Sequence, residues 1–94
     1  MTIVWSRRAV GHLEHLRAFI AEDNSEAATR VASVILDAAA RLAGQPNLGR
    51  PGRIAGTREL VVPGTPFLMP YRVRGGRVEI LAVFHGRQQW PSRL

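Results

Sequence analysis

Hydrophobic residues follow a helical period in the first half of the chain and short β-type runs in the second half. Thr2–Trp5 is rich in β-branched and aromatic residues and predicts a short first strand, with Ser6 as the N-cap of the helix after it. Apolar residues then recur four, three and four positions apart, which predicts a first helix ending near Glu22–Ser25. Its apolar stripe consists of Ala9, Leu13, Leu16 and Ile20.

A second helix is predicted over Glu26–Ala43. Asp23, followed three residues later by Glu26, resembles a capping box, and Ser25 is an alternative N-cap. Two adjacent apolar stripes run along this helix, so we expect it to contact both the first helix and a sheet. Gly44 and Pro46 mark its end.

The remaining chain predicts strands joined by turns. A Gly/Pro-rich loop over residues 44–56 is followed by strands at Thr57–Val62, Pro66–Arg74 and Arg77–His85, and by an irregular tail at Gly86–Leu94. The order β-α-α-β-β-β predicts an α+β fold, with a helical hairpin packed on one face of a small, mostly antiparallel sheet. Residues 1–94 form one predicted domain, because two domains of this size could not each bury a core.

Gly75-Gly76 predicts a two-residue hairpin loop, which places Arg74 opposite Arg77 and fixes every later pair. The predicted pairs continue as Val73–Val78, Arg72–Glu79, Tyr71–Ile80, Pro70–Leu81, Met69–Ala82, Leu68–Val83 and Phe67–Phe84. One face is then wholly apolar and is expected to lie beneath the helices. The opposite face carries arginines at the hairpin end and Leu68, Pro70, Leu81 and Val83 further along, so we expect a partner to cover it.

The charge of the chain says more about its possible partners than its length does. Thirteen basic residues, all arginine, stand against seven acidic ones, for a net charge of +6. Guanidinium groups bind carboxylates and phosphates bidentately, so a partner rich in either is one interpretation; arginine-rich codon usage with solvated charges is the other. The chain has no cysteine, which excludes disulfides and thiolate chemistry. With no long apolar run and no signal-peptide pattern, we expect a cytoplasmic protein without membrane contact.

Candidate chemistry is sparse. His12 and His15 lack a third ligand and are expected to be solvated, so no metal or other cofactor is predicted. An RNA-cleaving site needs a base, an acid and cations, which Arg58, Arg72, His85 and Arg87 could supply. The predicted register separates Arg72 from His85 by roughly 20 Å, although His85 could still meet Arg58 or Arg87. Trp90 either stacks on a nucleic-acid base or, more typically, closes the end of a core.

The chain resembles toxins of bacterial type II toxin–antitoxin modules, the RelE/ParE superfamily. The matching segments occur in order and span nearly all 94 positions. They are Val4-Trp5-Ser6, Phe19–Asn24, Leu48–Arg53, Thr57–Val62, Tyr71–Val73 and Val78–Arg87.

The resemblance implies a growth-inhibiting toxin neutralised by an acidic, partly disordered antitoxin. RelE-like members are ribosome-dependent mRNA endonucleases, with a catalytic arginine three residues before the tyrosine of the middle strand; here that position is Leu68. ParE-like members resemble gyrase inhibitors with no hydrolytic site. The long second helix and His85-Gly86-Arg87 are more similar to the ParE branch, so gyrase poisoning is the leading hypothesis, ahead of a ribonuclease and of a nontoxic basic binding module.

The residues expected to contact an antitoxin or a target lie on the basic loop, the sheet and the tail. They are Arg50, Arg53, Arg58, Leu68, Arg72, Arg74, Arg77, Leu81, Val83, Arg87 and Trp90.

Overall fold

The computed structural model describes all 94 residues and contains one strand, two helices and then five further strands. The predicted α+β architecture is confirmed, with two differences in the strands. A two-residue strand lies inside the predicted loop 44–56, and the predicted last strand is divided in two. The elements are β1 (Thr2–Trp5), α1 (Arg7–Ala21), α2 (Ser25–Arg41), β2 (Arg50–Pro51), β3 (Arg58–Val61), β4 (Phe67–Arg74), β5 (Arg77–Ile80) and β6 (Phe84–His85).

The helix N-caps agree with one prediction and correct another. Ser6 caps α1 as expected: its Oγ accepts a hydrogen bond from Ala9 N–H and donates one to the Leu81 carbonyl, both at 3.0 Å. The cap of α2 is Asn24, whose Oδ1 accepts from Ala27 N–H at 2.9 Å, so the predicted caps Asp23 and Ser25 are wrong. Asn24 has the extended backbone that an N-cap needs, with φ −157° and ψ 100°, whereas Ser25 is already helical.

The strands form a single mixed sheet in the order β1-β5-β4-β3-β2, with β6 also paired to β4. Only β1 runs parallel to its neighbour, β5, and the other pairs are antiparallel. The predicted hairpin register is confirmed from Arg74↔Arg77 to Tyr71↔Ile80. Gly75 and Gly76 have φ of 61° and 73°, the left-handed conformations that this tight turn requires.

Beyond Ile80 the predicted register is wrong by one residue. Leu68 lies opposite Phe84 and Phe67 opposite His85, instead of Val83 and Phe84. Leu81 N–H still donates to the Pro70 carbonyl at 2.9 Å, but proline has no N–H to return, so the ladder breaks there and one extra residue is accommodated as a β-bulge.

The core lies between the helical hairpin and one sheet face. Tyr71, Ile80 and Met69 are fully buried there, as the hairpin register predicted. The bulge moves Val83 into this core, although it was predicted on the opposite face. Val73, predicted beneath the helices, is 40% exposed because it lies near the hairpin end.

Gly11 occupies the middle of α1, and a β-carbon there would meet no atom within 4 Å. We expect Gly11→Ala to raise the free energy of unfolding by about 0.5–1 kcal/mol, since alanine restricts the unfolded chain and favours the helix. Urea denaturation measures the change. Gly56→Ala is the matched control: its surroundings are equally open, but its φ of 78° disfavours any side chain, so we expect a loss there. A lower stability of Gly11→Ala contradicts this placement.

Candidate functional site

The sheet face opposite the helices, here called the outer face, holds a buried carboxylate. Glu59 is 2% exposed and accepts hydrogen bonds from Arg53 N–H at 2.8 Å and Arg53 Nε at 3.0 Å, both through Oε2. Its Oε1 accepts from Arg53 Nη2 and from Arg50 Nη2, each at 3.2 Å. Burial alone raises the pKa of the Glu59 carboxyl, but these hydrogen bonds and the Arg53 charge outweigh it, so the pKa lies below its usual value. Glu59 therefore fixes the basic loop to the sheet.

The C-terminal tail packs over this loop through Trp90. The guanidinium carbon of Arg53 lies 3.6 Å from the Trp90 ring centroid, and the rings of Trp90 and Phe84 are 4.8 Å apart. Arg53 is thus placed between a carboxylate and an indole, contacts that suit its planar cation. The alternative in which Trp90 closes the end of a core matches this arrangement.

The apolar part of the outer face is covered by the chain itself. Leu68 is 8% exposed and Phe84 3%. The expectation that the leucine-rich half of this face is open is therefore wrong, because the bulge turns Phe84 onto it and Trp90 packs on Phe84. Contacts of Leu68, Leu81 and Val83 with a partner stay a prediction.

The hairpin end of the outer face is open and basic. Arg72 Nε donates to Glu79 at 2.6 Å, and Arg74 Nη2 lies 3.5 Å from the same oxygen. The hydrogen bond from Arg72, with the charges of the surrounding arginines, lowers the pKa of Glu79 despite some opposing desolvation. Arg74 and Arg77 are directly paired across the strands, a like-charge arrangement that disfavours the isolated hairpin. The single negative charge of Glu79 faces the positive charges of Arg72, Arg74 and Arg77, so this end of the sheet has an excess of positive charge that would attract an anionic partner.

Two of the four candidate nuclease residues border one shallow cleft. Arg58 and Arg72 both line it, near Val73. Arg58 Nη1 donates to the Gly49 carbonyl at 2.7 Å, while Arg72 is paired with Glu79. Both guanidinium groups are therefore partly engaged in holding the fold.

His85 and Arg87 lie at the other end of the sheet. His85 pairs with Phe67, five positions from Arg72 along β4, which corresponds to about 16 Å. Its Nδ1 accepts a hydrogen bond from the backbone N–H of Arg87 at 3.1 Å. His85 is thus close to Arg87 and distant from the Arg58–Arg72 cleft.

His12 is half-buried, so the expectation that both helix histidines are solvated is wrong for His12; His15 is exposed. His12 Nδ1 accepts from Val83 N–H at 3.1 Å, and the ring lies 5.3 Å from that of Phe84. Burial lowers the pKa of His12, and the charges of Arg8 and His15 add to this effect. This histidine holds the bulge against α1. No group of three or more His, Asp or Glu side chains is arranged to hold a metal ion.

His12 makes stability depend on pH. Because the pKa of His12 in the fold lies below the ordinary histidine value of 6.5, the unfolded chain takes up the proton first as the pH falls. We expect full stabilisation above about pH 7.5 and a melting temperature that falls between about pH 7.5 and 5.5, above the range where carboxylates titrate. His12→Gln should flatten this slope, whereas His15→Gln should leave most of it. A slope that is unchanged in His12→Gln contradicts this role.

A groove runs along the outer edge of β3, where α2 and the loop before β2 approach it. Its volume is about 330 Å³. Leu48 and Val61 are each 47% exposed, and Arg41 and Arg50 supply positive charge at its border. We call it the edge groove, and its lining is Ala38, Arg41, Leu48, Gly49, Arg50, Glu59, Leu60, Val61 and Pro63.

Of the edge groove, only Arg50 was among the predicted contact residues. Leu60 and Val62 are buried on either side of Val61, so strand alternation could have marked Val61 as an outward residue. No local pattern marks Arg41 or Leu48, which reach the groove from a helix and a loop.

A helical hairpin packed on a mixed sheet is the fold of a family of small toxins. The chain belongs to the ParE toxins of type II toxin–antitoxin systems, since the model of that family matches residues 3–90. A Sinorhizobium fredii protein named "Putative toxin Y4kP" is 47% identical over 92 residues, which covers 98% of this chain and 95% of that protein. "Toxin RelE2" of Caulobacter vibrioides is 37% identical over 83 residues, 88% of this chain and 92% of that protein.

A solved structure shares the fold as well. It is described as the chromosomal ParDE TA system from P. aeruginosa, and it superposes with a TM-score of 0.83 at 27% identity, covering 90% of this chain and 95% of that chain. The superfamily resemblance and its ParE-like character are thereby confirmed. No helix of the fold combines the length and the apolar character that crossing a membrane requires.

Proposed function

We propose that this toxin inhibits growth by binding and poisoning DNA gyrase and that a cognate antitoxin neutralises it. The observation that carries this choice of target is Leu68. It stands where the nuclease branch carries its catalytic arginine, and it is buried with no cationic group to offer a phosphate. A side chain of this kind suits a toxin that acts by binding.

The placement of the candidate nuclease residues supports the same choice. Arg58 and Arg72 are held by the Gly49 carbonyl and by Glu79. His85 lies several residues away along β4 from both. A general acid and a cation must meet at one phosphate to cleave RNA, and this arrangement does not favour that.

Charge supports an acidic antitoxin. The chain carries a net charge of +6, and its hairpin end presents Arg72, Arg74 and Arg77 with Glu79 as the neighbouring acid. Carboxylates of a folding-on-binding segment would neutralise these groups. We propose that the exposed arginines of the loop, the hairpin and the tail contact the antitoxin or the target.

Gyrase-catalysed supercoiling of relaxed plasmid tests the target. We expect the purified toxin to inhibit supercoiling, to leave transcripts intact in a translating extract, and to lose its effect when the antitoxin is added. Arg74→Ala with Arg77→Ala should weaken inhibition, and Arg30→Ala, on exposed α2 surface, is the matched control. Harmless overexpression of the folded protein contradicts the proposal and favours a nontoxic binding module.

A ribosome-dependent ribonuclease is the second candidate, because one relative with 37% identity is named RelE2. Cleaved transcripts with unaffected gyrase would identify it. In that case alanine at Arg58, Arg72, His85 and Arg87 should abolish cleavage, and if toxicity is unchanged in this variant the ribonuclease is excluded.

A further inference from the structure

The net positive charge of the chain is confined to one part of it. Residues 1–41, which form β1 and the helical hairpin, contain five arginines and five acidic residues. Residues 42–94, which form β2 to β6 and the tail, contain eight arginines and two glutamates, so the whole net charge of +6 lies there. The charge excess therefore belongs to the sheet and its loops and not to the helices.

The β4–β5 hairpin holds the densest part of this charge. Arg72 and Arg74 are two residues apart on β4, roughly 7 Å along the strand, and Arg77 lies directly opposite Arg74, so all three share the outer face. The Arg74 side chain is 63% exposed. A β-carbon at either glycine of the turn would meet no atom within 4 Å, so the tip of the hairpin projects into solvent.

The shallow cleft beside the hairpin extends this cationic surface. It has a volume of about 260 Å³ and is bordered by Arg58 and Arg72. Arg58 uses only Nη1 for backbone carbonyls, and Arg72 uses only Nε for Glu79, so the other N–H groups of both guanidiniums make no hydrogen bond within the protein. These free donors can bind the oxygens of a phosphate group. With His85 at the other end of the sheet, the cleft can bind a phosphate without cleaving it.

The aromatic side chains indicate which kind of nucleic acid this surface suits. Single strands bind by stacking their bases on exposed aromatic rings. Phe19, on α1, is the one largely exposed aromatic side chain, at 68%. Tyr71 and Phe84 are buried, and the Trp90 ring lies against Arg53 and Phe84. The hairpin end therefore has no ring on which a base could stack, which favours a duplex over a single strand.

The hairpin end also has little apolar surface. Val73, at 40%, is its exposed apolar side chain. A ligand bound there gains contacts with charge and buries little apolar area. The sugar–phosphate backbone of double-stranded DNA fits this description, because it presents one negative charge per about 1.7 Å of helix axis.

We infer that this toxin itself binds the sugar–phosphate backbone of duplex DNA through the β4–β5 hairpin and the adjoining cleft, without reading the base sequence. The arginines involved are Arg58, Arg72, Arg74 and Arg77. The inference goes beyond the proposed target, because the contact is with DNA and not with gyrase. Both helices lie on the other face of the sheet, so neither is placed to enter a groove and read base edges. An acidic antitoxin segment at these arginines would compete with DNA.

Arg74→Gln combined with Arg77→Gln tests the hairpin. The two arginines form a like-charge pair, so their loss should not destabilise the fold. We expect the affinity for a short mixed-sequence DNA duplex, measured by fluorescence anisotropy in about 50 mM salt, to fall about tenfold or more. The plot of log affinity against log salt concentration should become less steep by about 2, which is about one for each lost phosphate contact.

Arg17→Gln combined with Arg30→Gln is the matched control. It removes the same net charge from exposed positions of the two helices. Because these positions lie away from the outer face, we expect its affinity for the duplex to stay within about threefold of that of the unsubstituted toxin. Equal weakening in the two double variants would show that the total charge, and not the hairpin, determines binding, and would overturn the inference.

Other probes distinguish the possible ligands. Single-stranded RNA of the same sequence that binds at least about tenfold tighter than the duplex would overturn the inference in favour of an RNA ligand. Displacement of the duplex by inorganic phosphate, at an ionic strength matched with sodium chloride, would identify a small-anion site in place of a backbone contact.

The result is separable from that of the gyrase experiment. A toxin that inhibits supercoiling but does not bind the duplex in about 50 mM salt overturns this inference and leaves gyrase poisoning standing. A toxin that binds the duplex, with the expected loss in the hairpin variant, but does not inhibit supercoiling supports this inference and overturns gyrase poisoning.

Discussion

Gly49→Ala is expected to lower the free energy of unfolding by about 3 kcal/mol. A β-carbon at this position would lie 2.6 Å from Tyr71 Cε1 and 2.8 Å from both the Tyr71 hydroxyl oxygen and the Glu59 carbonyl oxygen. None of these atoms can move freely, because the tyrosine ring is buried and the carbonyl belongs to a sheet strand. Equilibrium urea unfolding measures the loss.

The same substitution at Gly44 is the control. A β-carbon there meets nothing within 4 Å, and we expect little change in the unfolding midpoint. Because the Tyr71 hydroxyl donates to the Pro46 carbonyl at 2.7 Å and accepts from Gly49 N–H, Gly49→Ala should also loosen the loop before β2. An unchanged midpoint for Gly49→Ala contradicts this close packing.

Glu59→Gln is expected to destabilise the protein by about 2 kcal/mol and to release the tail. The substitution keeps the shape of the side chain but replaces a buried carboxylate that binds Arg53 through three hydrogen bonds. The NH2 group of glutamine would face N–H donors of Arg53, from which the carboxylate oxygen now accepts. Arg53 then loses the carboxylate that holds it against the Trp90 ring. The tail is easily released, because the buried Nε1–H of Trp90 has no hydrogen-bond partner and this weakens docking of the tail.

Two measurements separate these effects. Thermal unfolding reports stability, and acrylamide quenching in a Trp5→Phe background reports exposure of Trp90, which we expect to increase. Glu79→Gln is the matched control, since Glu79 also pairs with two arginines but at an open hairpin, where such pairs add little. Unchanged quenching in Glu59→Gln shows that Arg53 does not hold the tail.

Local patterns were sufficient to predict most of the fold. The two glycines of the β4–β5 turn and the alternation of Tyr71, Arg72 and Val73 set the register near the turn correctly. The same pattern failed beyond Ile80, because the bulge depends on which side of β4 the missing N–H of Pro70 faces. The direction in which the Pro70 nitrogen points is set by the register and does not appear as a periodic pattern of hydrophobic residues.

The candidate site was less accessible to such reasoning. Glu59 directly follows Arg58 in β3, and its partners Arg50 and Arg53 lie in a loop region without periodicity, so its burial could not be foreseen. The edge groove joins Arg41 of a helix, Leu48 of a loop and Val61 of a strand. Residues so far apart in sequence come together only through tertiary packing.

The parallel pairing of β1 with β5 has a consequence for biosynthesis. The first strand of the chain has its sheet partner near the C-terminal end, and Ser6 binds the carbonyl of Leu81, 75 positions later. A nascent chain can therefore form its helical hairpin before β5 has been synthesised, but it completes its sheet only after β5 has followed. Closing so long a loop is slow, so the sheet is expected to form more slowly than the helical hairpin.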